Sequence, residues 1–235
     1  MPDHDALRIL ERVTVEPETR WSLIARAADG DAEARNRFGA LYMPLVRSFF
    51  EARWRHSWLA AEVADATQEV FVDCFRPNGA LGRADAARGE FRGFLFGVVR
   101  NVALRFESRA RTRERGSGVP TPELADDEPR ASVMFDRVWS QDLMRRAGER
   151  MRALAEVGDD GMRQRMQLLG LRFTEGLPIR TIAARWGVDA DVLHRAYARA
   201  REEFKQCLRS IVAEHAVRTE ADLDAECRRI FDGLS

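Results

Sequence analysis

Apolar residues recur at steps of three and four along nearly the whole chain, and runs that alternate apolar with polar residues are scarce. A period near 3.6 predicts helices and leaves no segment that reads as a strand. Trp21–Ala28 reads as a short helix, broken at Gly30. Asp31 is placed to cap the next helix, whose apolar set is Ala34, Phe38, Leu41, Leu45 and Phe49. Pro44 inside that set predicts a kink or a restart. A third helix is expected from about Leu59 to Phe75, where Pro77 stops it; a loop over Gly79–Gly89 leads to a fourth near Glu90–Arg113. Then GSGVPTPELADDEPR (Gly116–Arg130) combines three prolines, two glycines and the acidic run Asp126–Asp127–Glu128, the composition of a linker. Helical spacing resumes with Phe135, Val138, Trp139, Leu143, Ala147, Met151 and Leu154, breaks at Gly158–Gly161, and returns over Arg163–Phe173. Leu223, Cys227, Ile230 and Leu234 predict an amphipathic tail helix. The expected architecture is all-α: a helical domain over residues 1–115, a linker over 116–132, a second helical domain over 133–215, and a tail helix over 216–235.

Composition narrows the chemistry by exclusion. The 38 Lys and Arg balance 38 Asp and Glu, so net charge indicates no partner. Lys205 is the single lysine; a GC-rich coding bias is the leading explanation, although arginine also suits phosphates and base edges. Cys74, Cys207 and Cys227 lie far apart with no CxxC, which argues against a disulfide scaffold and a cysteine-rich zinc site. No apolar run approaches 18 residues, and MPDHDALRIL lacks the basic and apolar parts of a signal peptide. The expectation is a cytoplasmic protein with no membrane insertion. His4, His56, His194 and His215 are scattered, and no phosphate-binding glycine loop follows a strand, so an enzyme is not expected, nor a metal or cofactor.

Three segments carry the functional expectation. In PIRTIAARWGVDADVLHRAYARAREEFK (residues 178–205), Pro178 suits the first turn of a helix whose apolar side is Ile179, Ile182, Ala183 and Trp186. Gly187 supplies the left-handed residue a tight turn needs, Val188 is expected to plug the angle between the helices, and Asp189 to cap the second helix. That helix buries Leu193, Tyr197, Ala200, Phe204, Leu208 and Ile211, and turns Asp191, His194, Arg195, Arg199, Arg201 and Glu202 outward. A helix-turn-helix would present its early residues to bases and its arginines to phosphates; a merely charged helical hairpin is the plainer alternative. In the third helix, Glu62, Asp65, Glu69 and Asp73 form a carboxylate stripe at spacings of three, four and four, with Gln68 beside it. A solvated face is the ordinary explanation, and a docking surface for a basic partner the functional one. From Arg88 to Arg115 there are eight Arg and three Glu, with Phe91, Leu95, Val98, Val102 and Phe106 as the expected buried seam. Asn101, Arg105 and Arg109 share one face, while Phe94 and Phe96 add aromatics next to Arg92. Basic groups interleaved with aromatics suit a strand with exposed bases.

In this order the segments resemble a bacterial RNA polymerase sigma factor of the extracytoplasmic-function type, with similarity to a subgroup common in planctomycete-type bacteria. DATQEVFVDCF (Asp65–Phe75) is similar to the family's helix that docks on the clamp helices of the polymerase β′ subunit. GEFRGFLFGVVRNVALRF (Gly89–Phe106) resembles the segment that melts and reads the −10 promoter element, and IAARWGVDADVLHRAYARAR (Ile182–Arg201) the helix-turn-helix that reads the −35 element. The resemblance implies two helical domains and core polymerase (β′ and β), promoter DNA and an anti-sigma factor as partners. It assigns Glu62, Asp65, Gln68, Glu69 and Phe71 to polymerase docking. It assigns Arg88, Phe91, Arg92, Phe94, Arg100, Asn101, Arg105 and Arg109 to the −10 strand, with an extruded base held by the loop Gly79–Arg88. It assigns Asp191, His194, Arg195, Arg199 and Arg201 to the −35 duplex. The family's Thr-Val-Lys is Val192–Leu193–His194 here, Ala196 replaces a usual arginine, and Phe94 a usual tryptophan, which implies altered promoter preference. A free-standing helix-turn-helix regulator accounts for residues 179–201 but leaves the acidic stripe and the basic helix without a role.

Overall fold

The computed structural model describes residues 20–85, 90–115, 128–214 and 220–232, and all regular structure among them is helical. The helices are α1 (Arg20–Ala28), α2 (Ala32–Trp54), α3 (Val63–Phe75), α4 (Phe91–Arg115), α5 (Glu128–Val157), α6 (Asp160–Phe173), α7 (Ile179–Trp186), α8 (Ala190–Ala213) and α9 (Glu220–Asp232), with short 3₁₀ turns at Trp58–Glu62 and Leu81–Arg83. No described helix is long and apolar enough to cross a membrane. The described residues divide into two compact units, one ending at Asp142 and the other running from Leu143 and including residues 220–230.

Local chemistry sets the helix boundaries in the first unit. Asp31 caps α2, its carboxylate accepting the Ala34 N–H at 2.9 Å and pairing with Arg26 at 2.7 Å. The Ala34 N–H first, then Arg26, hold that carboxyl below its ordinary value. The expected restart at Pro44 does not occur, and α2 is continuous from Ala32 to Trp54. Pro44 is exposed, so the carbonyl it leaves unpaired faces water, while buried Tyr42, Leu45 and Val46 anchor the helix around it. The third helix begins later than its periodicity suggests. Ser57 accepts the Leu59 N–H and starts a 3₁₀ turn, and the α-helix proper opens at Val63. Beyond Pro77 the chain doubles back so tightly that a Cβ on Gly79 would stand 2.6 Å from the carbonyl oxygens of Asp73 and Arg76. Only glycine fits that approach, and it brings the Ala80 N–H to the Asp73 carbonyl at 2.8 Å.

Aromatic rings fill this unit. Phe38 of α2 lies 4.7 Å from Tyr42, 6.1 Å from Phe71, 5.6 Å from Phe75 and 5.9 Å from Phe91, centroid to centroid. Tyr42 stacks on Trp139 at 6.3 Å, and Phe49 meets Phe135 at 5.7 Å. The start of α5 therefore belongs to the first core. The division between units falls within α5, between Asp142 and Leu143. Helical spacing had marked Phe135 and Trp139 as buried but carried no information about which core they join. Residues 116–127 of the expected linker lie outside the described residues. On α4 the seam is Phe91, Leu95, Val99 and Val102; Val98 is only half-buried, because steps of four and three from Leu95 lead to Val99 and Val102. Next to that seam sits a pair that periodicity did not reveal. Glu107, 1% exposed, accepts from Arg53 Nε at 2.6 Å, Arg53 Nη2 at 3.0 Å and Trp54 Nε1 at 2.9 Å.

The second unit gathers Leu168, Leu171, Ile179, Ile182, Ala183 and Leu193 into one cluster. The end of α8 buries Cys207, Leu208, Ile211 and Val212, and α9 buries Leu223, Cys227 and Ile230. Arg209 ties the two helices' polar edges, donating to Glu220 at 2.7 Å and to Asp224. Leu234 lies outside the described residues. All three cysteines are free and buried. Burial, with the Asp73 charge, pushes the Cys74 thiol up to about 12; burial pushes Cys207 up to about 11 and also raises Cys227. At pH 8 only about one Cys207 in a thousand is then thiolate, the reactive form. Iodoacetamide is expected to label the folded protein roughly a hundredfold more slowly than the urea-unfolded chain. Equal rates, read by mass spectrometry, would contradict the burial.

Candidate nucleic-acid interface

The acidic stripe and the basic helix, separate features in the sequence, meet in the first unit. Arg105 of α4 donates to Asp73 at 2.5 Å and to Glu69 at 3.3 Å, while Asp73 also faces Arg76 at 3.5 Å. Two carboxylates of the stripe are thus internally paired, and Asp73 is buried. What α3 presents to solvent is Asp65 and Gln68, with Glu62 half-buried. Val72, 58% exposed, continues this row one turn beyond Gln68 and was missed, because nothing local distinguishes an exposed valine from a core one. Phe71, expected at the docking surface, is 6% exposed and packs on Phe38 and Phe75. It supports the helix from beneath.

Between the end of α3, the turn after it and α4 lies a polar groove of about 390 Å³, lined by Asp73, Arg76, Ala80, Arg83, Val98, Asn101 and Arg105. Three guanidiniums and one amide converge there with a single carboxylate. Asn101 is exposed, and Arg105 contributes to both groove and stripe. The sequence singles out Asn101 and Arg105 and places Arg83 within the base-holding loop; Arg76 was missed, since the turn that brings it in has no helical period. Gly79–Asp85 of the expected base-holding loop is described, whereas Arg88 lies outside the described residues.

The other assignments on α4 divide by burial. Phe91 is 2% exposed, set edge-on to Trp21 and Phe38 within the core. Arg92 is half-buried and pairs with Asp136 of α5 at 2.7 Å. Phe94 is half-buried against Phe91 at 5.7 Å. Arg100 is half-buried; Arg109 is exposed, its guanidinium 5.5 Å from the Phe106 ring.

In the second unit α7 and α8 meet through a turn built as its residues require. Gly187 is left-handed at φ 65°, and the Val188 N–H reaches back to the Ala183 carbonyl at 3.1 Å. Asp189 caps α8, accepting from the N–H groups of Asp191 at 2.8 Å and Val192 at 3.2 Å. Pro178 stands one position earlier than expected, at the N-cap of α7, where its carbonyl accepts the Ile182 N–H. Val188 does not plug the corner: it is 36% exposed, and Leu193 with Ile182 fills the space. Tyr197 is half-buried beneath Arg172 and Arg201, 5.6 and 5.9 Å from its ring. Phe204 is also only half-buried. Asp191, His194, Arg195, Arg199 and Arg201 are all exposed. Arg199 also reaches Glu203 at 3.2 Å, a carboxylate it shares with Arg165. Among the described residues no three His, Cys, Asp or Glu side chains converge in a way that suits a metal ion. No protein-family model matches the chain, and no curated protein matches it at a significant level.

Proposed function

We propose that the chain is a promoter-specificity subunit of bacterial RNA polymerase, a sigma factor of the extracytoplasmic-function type, and not an enzyme. The observation that carries this reading is the groove of Arg76, Arg83, Asn101 and Arg105, which shares Arg105 and Asp73 with the acidic helix. Convergent guanidiniums and an amide suit phosphates and the edge of an unstacked base. The outward row of Asp65, Gln68 and Val72 on the same helix α3 suits a basic, partly apolar polymerase helix. In this reading the first helical unit binds core polymerase and the displaced −10 strand, and the second holds the −35 duplex through α8. The protein acts in the cytoplasm, and an anti-sigma factor is its regulator.

The decisive experiment is run-off transcription with core polymerase and a promoter library, with and without the protein, followed by sequencing of transcript 5′ ends. New start sites sharing motifs near −10 and −35 are the expected result. No transcript and no complex with core polymerase would reject the reading. The capped α7–α8 pair with its exposed arginines also suits a free-standing regulator. Nanomolar binding to duplex DNA without polymerase, in physiological salt, would favour that alternative.

A further inference from the structure

The tip of α8 is chemically unlike the rest of its exposed face. Val188 in the turn is 36% exposed and Val192 in the first helical turn is 50% exposed, whereas the exposed residues further along α8 are mostly charged or polar, Ala198 apart. Neither valine is needed for the core, which Leu193 and Ile182 already fill. A helix N-terminus ordinarily attracts phosphate through its free N–H groups. Here the Asp189 carboxylate has taken those of Asp191 and Val192, and Asp191 adds a second, exposed carboxylate. A phosphate is therefore repelled from the tip. Arg180 and Arg185 on α7 and Arg195, Arg199 and Arg201 further along α8 are all exposed and suited to phosphates.

An apolar and acidic tip behind a collar of arginines fits the floor of a major groove, not its walls. The floor offers one apolar group, the thymine 5-methyl, and one pair of donors, the amino groups of adenine and cytosine. We infer that Val192, supported by Val188, reads a thymine methyl in the promoter duplex, with Asp191 accepting from an amino group beside it. This rests on the sigma reading of the helix-turn-helix and names which base edges it selects. It assigns the discrimination to apolar contact, in place of the long polar side chain that more often reads a base.

The test uses the full chain with core polymerase and the promoter recovered by run-off transcription. Each thymine of the −35 element is replaced by uracil, which removes the methyl and keeps every hydrogen bond. At one position the wild-type complex is expected to lose affinity by about fourfold, the worth of one buried methyl group. The Val192→Ala variant is expected to bind the thymine duplex about fourfold more weakly and to be indifferent to uracil at that position. Val192 is exposed, so this variant folds as the wild type does. Full tolerance of uracil at every −35 position, a −35 element with no thymine, or an equal uracil penalty in Val192→Ala would overturn the inference while transcription itself upholds the sigma reading. Absence of any supported promoter would overturn both.

Discussion

Replacing Glu107 by alanine is expected to lower the stability of the N-terminal unit by about 3–5 kcal/mol, because it strands a charge in the core. Arg53 is 9% exposed at its side chain and gives two of its donors to this carboxylate, while the Trp54 indole gives its only one. Without Glu107 the guanidinium has neither water nor a partner, and the indole N–H is orphaned beside it. For a protein of this size the melting temperature of that unit should fall by roughly 10 °C. The double variant Arg53→Met/Glu107→Leu removes both charges together and is expected to recover most of the loss. Calorimetry on the three proteins provides the check. A single variant melting within about 1 kcal/mol of the wild type would mean that water reaches Arg53 and that the pair is not a core element.

The second large effect is functional and centres on Arg105. Its reversal in Arg105→Glu would set a third carboxylate against Asp73 and Glu69 and remove one of three guanidiniums from the groove. A charge lost at a close contact of this kind costs about 3 kcal/mol, so transcription from the recovered promoter should drop about a hundredfold. Part of that drop would come from a disturbed α3–α4 contact. Arg105→Gln separates the two contributions: the amide still donates to Asp73 but carries no charge. It is expected to melt within about 1 kcal/mol of the wild type and to transcribe roughly tenfold less. Normal transcription by Arg105→Gln would mean that the arginine serves only the helix contact and that the groove binds no strand.

Features legible in the sequence were those with a local cause. Asp31 and Asp189 cap helices because a carboxylate reaches an N–H two or three residues on, whatever the rest of the chain does. Gly187 ends α7 because its left-handed backbone costs nothing without a Cβ. Phe38, Leu45 and Phe49 are buried as their spacing requires, since one face of a helix must be covered. The departures were matters of distance along the chain. Phe71 and Phe91 lie in motifs that suggested contact with partners, yet their rings are drawn into the cluster around Phe38. Val188 does not plug the corner between α7 and α8, because Leu193 and Ile182 fill the space.

The sequence by itself determined an all-helical chain, its main breaks and caps, the faces that carry charge, and the turn between α7 and α8. Only the tertiary structure decided that Phe135 and Trp139 complete the first core, that Glu107 pairs with Arg53 across 54 positions, and that Arg105 joins the acidic helix to the groove. A helix repeats every 3.6 residues, so its buried face can be read from a short window. An ion pair between helices depends on where two distant segments come to rest, and the same arginine spacing is compatible with a solvated face, a DNA contact or a buried partner.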